Sequence, residues 1–184
     1  MTRILDIIFS FIGLVILSPI ILILLVIGFF DTGSPVFRQE RVGKNIKPFY
    51  LVKFRSMHVN TQSVATHLIQ ASTITFWGSF LRKSKLDELL QLINVLKGDM
   101  SFVGPRPNLF NQEEVIKERE SRGVYSVRPG ITGLAQIRKI DMSTPKRLAE
   151  TDAQMISQNT IFTYFKYISL TLFGRGFGDR VKKG

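Results

Sequence analysis

The segment KSKLDELLQLINVLKGDMSFVGPRP, residues 83–107, joins an amphipathic helix to a loop in which two prolines flank one arginine. Apolar side chains recur along it at steps of three and four, which predicts one buried helix face. The members of that face are Leu86, Leu89, Leu90, Ile93 and Leu96. Ser84 is expected to cap the start of this helix. Asp87, Gln91 and Asn94 then form a polar stripe on the opposite side.

Two adjacent carboxylates, Asp87 and Glu88, lie in the first turn of this predicted helix. An acidic residue there most often only caps a solvated helix. The helix N-terminus and neighbouring cations also keep Asp87 ionised, as a nucleophile or a metal ligand must be. Beyond the helix, Pro105 and Pro107 fix the backbone around Arg106, and a rigidly placed guanidinium suits bidentate phosphate binding. The segment therefore predicts chemistry on a phosphate group.

The composition supports a site for anions and narrows its chemistry. The net charge is +11, and basic side chains lie beside glycine, proline or aromatic residues at Arg38, Arg41, Lys53, Arg55 and Arg128. Such a surface attracts polyanions or phosphorylated substrates. The chain has no cysteine and only two histidines, which excludes thiolate metal sites and disfavours a histidine-based catalytic unit. A carboxylate pair among phosphate binders suggests phosphoryl transfer, with Mg²⁺ bridging carboxylate and phosphate oxygens.

The N-terminus is an apolar segment without charge from residue 7 to residue 30. About 20 apolar residues span a bilayer as a helix, whereas the apolar region of a cleaved signal peptide has about 7–15. We therefore predict a permanent membrane element in residues 1–34, followed by one catalytic domain in residues 35–184.

Ser18 and Pro19 interrupt the apolar segment near its centre. Proline lacks an amide hydrogen and its ring clashes with the carbonyl of Val15, so a kink is expected, where Ser18 can bond the freed carbonyl. Two interpretations follow: a kinked spanning helix, or a re-entrant hairpin that enters and leaves by one face. Positive charge on both flanks, from Arg3 and from Arg38 onwards, mildly favours two cytoplasmic ends.

Downstream patterns predict a small α+β domain that is mainly helical. Residues 36–43 and 47–57 have the composition of strands and predict a short β-hairpin. Residues 59–75 are polar and are predicted to form a loop or a loose helix. Residues 110–122 predict a charged, solvated helix, and residues 148–157 a further helix.

Two segments carry aromatic and basic residues at helical spacing, residues 74–84 and residues 161–173. The first contains Phe76, Trp77 and Phe80 next to basic side chains. Aromatic rings and basic groups both favour the membrane interface, so interfacial amphipathic helices are expected. The alternative, in which each helix closes the protein core, stays open on sequence alone.

These motifs together resemble the bacterial sugar transferases, the monotopic polyprenyl-phosphate phosphoglycosyl transferases, in their minimal form. The resemblance covers nearly the whole chain and rests on the central Ser18-Pro19, VFRQERVG, KFRSM, LRKSKLDELLQLINVLKGDMSFVGPRP and VRPGITGLAQI. It implies a re-entrant helix-break-helix at the N-terminus that does not cross the bilayer. It also implies transfer of a sugar 1-phosphate from a UDP-sugar to polyprenyl (undecaprenyl) phosphate with release of UMP. Such a reaction initiates assembly of a glycan such as O-antigen, capsule, exopolysaccharide or glycoprotein.

The resemblance also assigns roles to residues of the site. Asp87 is expected to be the nucleophile that forms a covalent phosphosugar ester, Glu88 to serve metal binding or proton handling, and Arg106 to bind phosphate. Asp87 and Glu88 are the expected Mg²⁺ ligands. Further candidate phosphate or substrate contacts are Gln39, Arg41, Lys53, Arg55, Arg82, Arg128 and Asp152. Where sugar or uridine contacts are expected, the sequence departs from the family pattern at Leu90, Met155 and residues 137–140.

The expected partners are a UDP-sugar, polyprenyl phosphate and the lipid bilayer, without nucleic acid and with homo-oligomer formation left open. The expected location is the bacterial inner (cytoplasmic) membrane, with a monotopic protein whose active site lies on the cytoplasmic face. Two alternatives are a basic, membrane-anchored interaction protein and a UDP-sugar glycosyltransferase. The first would need neither the carboxylate pair nor the Arg106 loop, and the second usually carries a D-x-D motif, which this sequence lacks.

Overall fold

Helices make up most of the described chain, and two small two-stranded sheets lie between them. A computed structural model describes residues 2–59, 61 and 73–173. Its elements in chain order are α1 (Thr2–Thr32), β1 (Val36–Val42), β2 (Pro48–Phe54), α2 (Phe76–Ser84), α3 (Gln91–Lys97), β3 (Ser101–Val103), α4 (Glu113–Glu120), β4 (Gly130–Thr132), α5 (Leu134–Ile137), α6 (Pro145–Ser157) and α7 (Ile161–Leu172). The predicted α+β class is confirmed. The predicted loop over residues 59–75 lies largely outside the described residues.

α1 is a single helix that continues through Pro19. The hydroxyl of Ser18 donates at 2.8 Å to the carbonyl of Val15, which Pro19 leaves without its amide partner. The predicted break therefore does not interrupt the helix, because a side chain replaces the missing backbone bond. By length and composition, α1 is apolar and long enough to cross a membrane.

Both ends of α1 contact the domain that follows it. Near the start, Arg3 Nη2 donates to the carbonyl of Leu96 at 2.9 Å, at the C-terminal end of α3. Near the other end, Leu24 packs in a buried cluster with Phe54 and Leu90. Most apolar side chains between these contacts are exposed. α1 is thus anchored to the domain at its two ends and presents an apolar surface outward.

β1 and β2 form the predicted antiparallel hairpin, with Gln39 opposite Leu51 and Arg41 opposite Phe49. Directly opposite residues share one face of a sheet, so Gln39, Arg41 and Lys53 lie on the same face as these two apolar residues. The apolar part of this face packs against α3. The hairpin therefore brings polar side chains next to the segment that carries the two carboxylates.

The segment between α2 and α3 does not form the helix start that the sequence predicts at Ser84. α2 extends through Ser84, whose hydroxyl donates to the Phe80 carbonyl at 2.8 Å and caps no new helix. Lys85 then adopts a left-handed conformation with φ of 58°. Leu86–Glu88 form a single 3₁₀ turn before α3 begins. The helix that the sequence predicts from Ser84 therefore begins only at Gln91, and Asp87 and Glu88 lie in the turn before it.

The polar stripe of α3 faces the hairpin, not solvent. Asp87, Gln91 and Asn94 are all buried. The Asn94 side chain accepts from Val52 N at 3.0 Å and donates to the Tyr50 carbonyl at 2.7 Å, so it satisfies the free edge of β2. The helical period correctly predicts an apolar face and a polar face on this segment. Both faces are covered because α3 lies between α1 and the hairpin.

A second sheet, which the sequence did not predict, joins the GPRP segment to the VRPGIT segment. β3 and β4 run parallel, with Ser101 opposite Gly130 and Val103 opposite Thr132. A Cβ atom on Gly130 would lie 2.0 Å from the nitrogen of Gly104, so only glycine permits this approach. The contact fixes the start of the loop that carries Arg106.

The aromatic helices α2 and α7 point apolar side chains outward. On α7, Tyr164 and Tyr167 are buried, whereas Phe162 and Leu172 are 75% and 80% exposed. On α2, Phe76 is 96% exposed. A helix that closed the core would bury these apolar groups. Their exposure favours the interfacial interpretation of both helices over the core interpretation.

Candidate active site

Asp87 and Glu88 lie in the short turn between α2 and α3, beside β2. The Asp87 side chain is buried. Oε1 of Glu88 lies 3.1 Å from Nη2 of Arg106, and both of these side chains stay partly exposed. The fold therefore brings the carboxylate pair and the loop arginine together across a sequence separation of 18 residues.

The GPRP loop, residues 104–107, is held by hydrogen bonds to the consecutive carbonyls of residues 105–108. The donors are Gly130 N for Pro105 (2.9 Å), Arg119 Nη1 for Arg106 (2.8 Å), Arg41 Nη1 for Pro107 (3.2 Å) and Val42 N for Asn108 (2.9 Å). Prolines have no amide hydrogen, so at Pro105 and Pro107 the backbone can be anchored only through its carbonyls. The Arg106 side chain thus extends from a fixed backbone position.

Cationic side chains from the hairpin and from this loop meet in one cleft. The lining residues are Arg41, Leu51, Lys53, Gln91, Arg106, Pro107 and Gly130. Gln39 orients Arg41, because its Oε1 accepts from Arg41 Nη2 at 2.6 Å. Clustered cations at a partly buried cleft create a positive potential that favours phosphate groups. Four of the candidate binding residues are therefore brought together: Gln39, Arg41, Lys53 and Arg106.

Arg82 extends from α2 toward the segment that follows β2. Its Nε donates to Ser56 Oγ at 2.8 Å. Its Nη1 is buried and has no hydrogen-bond partner within the described ranges. A buried guanidinium nitrogen without a partner is costly unless an anion binds there. Arg82 is therefore a candidate anion contact on the α2 side of the carboxylate turn.

Arg55 and Arg128, two predicted phosphate contacts, do not line the cleft and contact other parts of the fold. Arg55 Nε donates to the Ser34 carbonyl at 2.8 Å, and its guanidinium lies 5.3 Å from the centre of the Phe37 ring, so it fixes the exit from α1. Arg128 Nε donates at 2.7 Å to the carbonyl of Gly98, at the end of α3 opposite to the carboxylate turn. Helix ends leave carbonyls unpaired, and Arg128 donates to such a group at the C-cap of α3.

Asp152, a predicted substrate contact, is fully buried and does not line the cleft. Its Oδ2 accepts from Nε and Nη2 of Arg119 at 3.0 and 2.7 Å. Burial raises the pKa of Asp152, and the Arg119 charge opposes that shift. Arg119 belongs to the helix predicted as solvated, yet it is buried too. Its spacing of four residues from buried Val115 was the available signal for an inward position.

A polar group next to the loop, formed by Asn108 and Tyr125, was not identified from the sequence. Asn108 is fully buried, and its Oδ1 accepts from the Tyr125 hydroxyl at 2.9 Å and from Arg119 Nη1 at 2.9 Å. Burial raises the pKa of Tyr125. No motif or periodicity links these residues, because their contact depends on how the loop folds back on α4.

The carboxylate turn offers two acidic side chains to a metal ion. In the part of the chain that the structure describes, no group of three or more His, Cys, Asp or Glu could hold a metal. Mg²⁺ in phosphoryl-transfer sites is commonly held by one or two carboxylates together with substrate phosphates and water. Asp87 and Glu88 fit that mode, in which the substrate completes the coordination.

The family described as bacterial sugar transferase matches residues 1–175 of this chain. The chain is 39% identical to an uncharacterized sugar transferase, EpsL of Bacillus subtilis (strain 168), over 156 residues, which are 84% of this chain and 77% of EpsL. The predicted resemblance is confirmed by this family match.

Two longer relatives have names that state which sugar they transfer. The chain is 36% identical over 184 residues to the galactosyl transferase CpsE of Streptococcus agalactiae serotype III (strain NEM316), covering 92% of this chain and 41% of CpsE. It is 36% identical over 185 residues to the UDP-glucose:undecaprenyl-phosphate glucose-1-phosphate transferase of Escherichia coli (strain K12), covering 95% of this chain and 40% of that protein. The chain thus spans less than half the length of these two relatives.

Proposed function

The chain belongs to the bacterial sugar transferase family, and from this premise we propose that it transfers a sugar 1-phosphate from a UDP-sugar to polyprenyl phosphate, releasing UMP. One observation carries the proposal: the Asp87–Glu88 turn meets Arg106 beside a cleft lined by Arg41 and Lys53. This arrangement supplies a carboxylate nucleophile and oriented cations for phosphate. The name of the Escherichia coli relative describes a reaction of this type.

The proposed chemistry has two displacements at one phosphorus atom. A carboxylate oxygen of Asp87 attacks the β-phosphorus of the UDP-sugar, the bond from that phosphorus to the bridging oxygen breaks, and UMP leaves with that oxygen. A phosphate oxygen of polyprenyl phosphate then attacks the same phosphorus, and the acyl phosphate bond breaks to restore the Asp87 carboxylate. The two anionic substrates occupy the cleft in turn, which avoids their mutual repulsion.

The residues around Asp87 have separable roles in this proposal. Burial of Asp87 limits the access of water that would compete as a nucleophile. Arg106 is partly exposed next to the cleft, and we expect the donor phosphates to compete with Glu88 for its guanidinium. Arg41 and Lys53 then stabilise the charge of the phosphate oxygens from the hairpin side.

Mg²⁺ is proposed to be held by Asp87 and Glu88 together with the donor phosphates. When bound, it supplies Lewis-acid stabilisation of the phosphate oxygens. Glu88 would then exchange its contact with Arg106 for the metal or for a proton, and the freed guanidinium of Arg106 would bind phosphate.

The proposed location is the cytoplasmic face of the bacterial inner membrane, with α1 re-entrant and the site near the lipid headgroups. The contacts of both α1 ends with the same domain support this placement, as do the outward aromatic side chains of α2 and α7. At that depth the site meets a lipid-borne phosphate and a cytosolic nucleotide sugar. The proposed partners are these two substrates and the bilayer, without nucleic acid and with homo-oligomer formation left open.

A single-turnover experiment without lipid acceptor tests the proposal. Wild-type protein with Mg²⁺ and UDP-glucose, UDP-galactose or a UDP-N-acetyl sugar is expected to release UMP in a burst equal to the enzyme concentration. Rapid quench and peptide mass analysis should then find a sugar phosphate on the peptide that contains Asp87.

The matched control is Asp87→Asn, which keeps the size and hydrogen-bond acceptor of the side chain but should release no UMP. If UMP appears only when polyprenyl phosphate is present and no adduct is found, the covalent mechanism is wrong and direct displacement replaces it. Release of UDP would instead indicate glycosyl transfer, and release of neither nucleotide would indicate a binding protein.

A further inference from the structure

Among the described residues, the largest fully buried side chain is that of Arg119, a cation inside a small domain. Burying an ion pair is costly, and an apolar pair of similar size is often at least as stable. Asp152 supplies the countercharge, but its Oδ1 is buried without a hydrogen-bond partner in the described part of the chain. Stability alone therefore does not account for a buried ion pair at this position, and its hydrogen bonds indicate a further role.

Arg119 connects α4 and α6 to the GPRP loop. Nε and Nη2 donate to Asp152 Oδ2, while Nη1 donates to the Arg106 carbonyl at 2.8 Å and to Asn108 Oδ1 at 2.9 Å. The Asn108 amide is fixed in turn by the hydroxyl of Tyr125. One buried guanidinium thus holds the loop on both sides of Pro107.

The hydrogen bond to the Arg106 carbonyl restrains the ψ torsion of Arg106, which the two prolines do not fix. Proline fixes its own φ near −65°, so Pro105 and Pro107 each lose one degree of freedom. A residue before proline is confined to extended conformations but still has a broad range of ψ. The bond from Arg119 selects the orientation of the peptide between Arg106 and Pro107 within that range.

We propose that the Arg119–Asp152 pair is a positioning device for Arg106, which directs its guanidinium toward Glu88 and the phosphate cleft. The structural part of this inference concerns the loop alone, and its catalytic consequence rests on the proposed function. Neither Arg119 nor Asp152 touches substrate in this scheme, since both are fully buried and neither lines the phosphate cleft.

The test uses the double variant Arg119→Met/Asp152→Leu, which removes both charges and leaves none buried alone. Its thermal midpoint is expected to stay close to that of the wild type, because an apolar pair replaces the ion pair. The matched control is Arg122→Met near the end of the same helix, where Arg122 pairs with Glu118 and does not contact the loop. If the double variant does not fold, Arg119→Lys takes its place in both measurements below, because lysine keeps the countercharge for Asp152 but lacks the fork that reaches the loop as well.

Amide hydrogen exchange measures the structural claim without any turnover. A peptide covering residues 102–110 is expected to exchange at least tenfold faster in the double variant, while a peptide from β2 keeps its rate. Arg122→Met should change neither peptide. Unchanged exchange in residues 102–110 would overturn the positioning role.

A mutant cycle with Arg106→Lys measures the catalytic claim. In the wild-type background, the double variant is expected to lower turnover at saturating UDP-sugar by at least tenfold. In the Arg106→Lys background, the same change should cost less than threefold, because the group that the pair positions is already gone. Equal losses in both backgrounds would show that the pair acts independently of Arg106 and would overturn the proposal.

The two measurements separate this inference from the proposed function. If wild-type protein releases no UMP, the proposed function fails, while hydrogen exchange still decides whether the pair holds the loop. If wild-type protein releases UMP and the exchange rates do not change, only the positioning role fails.

Discussion

Arg106 contributes shape as well as charge to the candidate site. Its guanidinium lies 3.1 Å from Glu88, and it extends from a loop in which the carbonyls of residues 105–108 each accept a hydrogen bond. Lysine carries the same charge on a flexible stem but lacks the planar fork that binds two phosphate oxygens at once. A comparison of the two side chains therefore distinguishes an oriented ligand from a diffuse positive charge.

Replacing Arg106 with lysine is expected to lower turnover about tenfold or more, which corresponds to roughly 1.4 kcal/mol of transition-state stabilisation. Initial rates of UMP release over a range of UDP-sugar concentrations measure the effect. The matched control is Arg147→Lys, because Arg147 is exposed on α6 and should tolerate the change. Turnover of the Arg106 variant near the wild-type rate would mean that only the charge matters.

At the residue scale, the sequence predicts which side chains meet when they belong to one motif. The Asp87–Glu88 pair and Arg106 were chosen from one segment, and the fold brings them together. Arg55 and Arg128 were chosen because of basic charge near turns, and charge alone does not reveal that a local carbonyl engages the side chain. Arg119 was missed since its neighbours are charged and its partners come from two other segments, the GPRP loop and α6.

At the scale of elements, α1, β3 and α7 join around one buried carboxylate. Oδ1 of Asp6 accepts from the Tyr164 hydroxyl at 2.8 Å, from Ser101 Oγ at 3.1 Å and from Phe102 N at 3.1 Å. Asp6 itself is 1% exposed. Three donors on one oxygen offset the desolvation of the carboxylate. The junction ties the start of the membrane helix to the strand that leads into the GPRP loop.

Tyr164→Phe tests the strength of this junction. Loss of a hydrogen bond to a buried charge is expected to lower the free energy of unfolding by about 1–3 kcal/mol near pH 7. Thermal unfolding in detergent micelles measures the change. Tyr50→Phe is the matched control, because Tyr50 is 62% exposed on the hairpin. An unchanged midpoint for Tyr164→Phe would show that the other two donors suffice for Asp6.

The same variant should alter the dependence of stability on alkaline pH. Burial and the Asp6 carboxylate raise the pKa of Tyr164 well above its ordinary value of about 10. The folded state therefore keeps the proton while the unfolded state releases it, so this contribution is complete below about pH 10 and is lost as pH rises further. The difference in unfolding free energy between wild type and Tyr164→Phe is expected to shrink above pH 10. A constant difference up to pH 11 would contradict the shift.

Local patterns predicted the elements that depend on near neighbours. The β1–β2 hairpin and α7 follow from strand composition, turn residues and helical spacing. The parallel pairing of β3 and β4 joins three-residue strands that are distant in sequence, and such strands are too short to show a period. The late start of α3 at Gln91 was not predicted, because it follows a left-handed conformation at Lys85 that a lysine rarely adopts.

At the scale of the whole molecule, contacts at both ends of α1 favour attachment to one face of the membrane. Asp6 binds β3 and α7, and near the other end Asp31 Oδ2 accepts from Thr75 Oγ1 at 2.7 Å. If α1 spanned the bilayer, one of its ends would lie across the hydrocarbon core of about 30 Å from the domain, so one set of contacts would be lost. The polar groups that would then lack partners make that arrangement costly.

Cysteine labelling of Thr2→Cys tests this topology, since the chain has no native cysteine. In intact spheroplasts, an impermeant maleimide is expected to leave the variant unlabelled and to label it after lysis. Lys146→Cys, on an exposed position of α6, reports the face on which the catalytic domain lies. Labelling of Thr2→Cys in intact cells while Lys146→Cys stays protected would place the N-terminus on the opposite face and exclude the re-entrant arrangement.

Replacing Ser18 with alanine and Pro19 with leucine in the Thr2→Cys protein should move part of the population toward a spanning helix. The change restores the amide donor for the Val15 carbonyl and leaves about 24 unbroken apolar residues, enough to cross the bilayer. The contacts of Asp6 oppose this movement, so we expect labelling in intact spheroplasts to rise several-fold and remain incomplete. Ser18→Ala alone, which keeps the proline, is the control and should stay protected. If the double variant is as protected as its parent, the polar anchors at the helix ends, and not the proline, determine the orientation of α1.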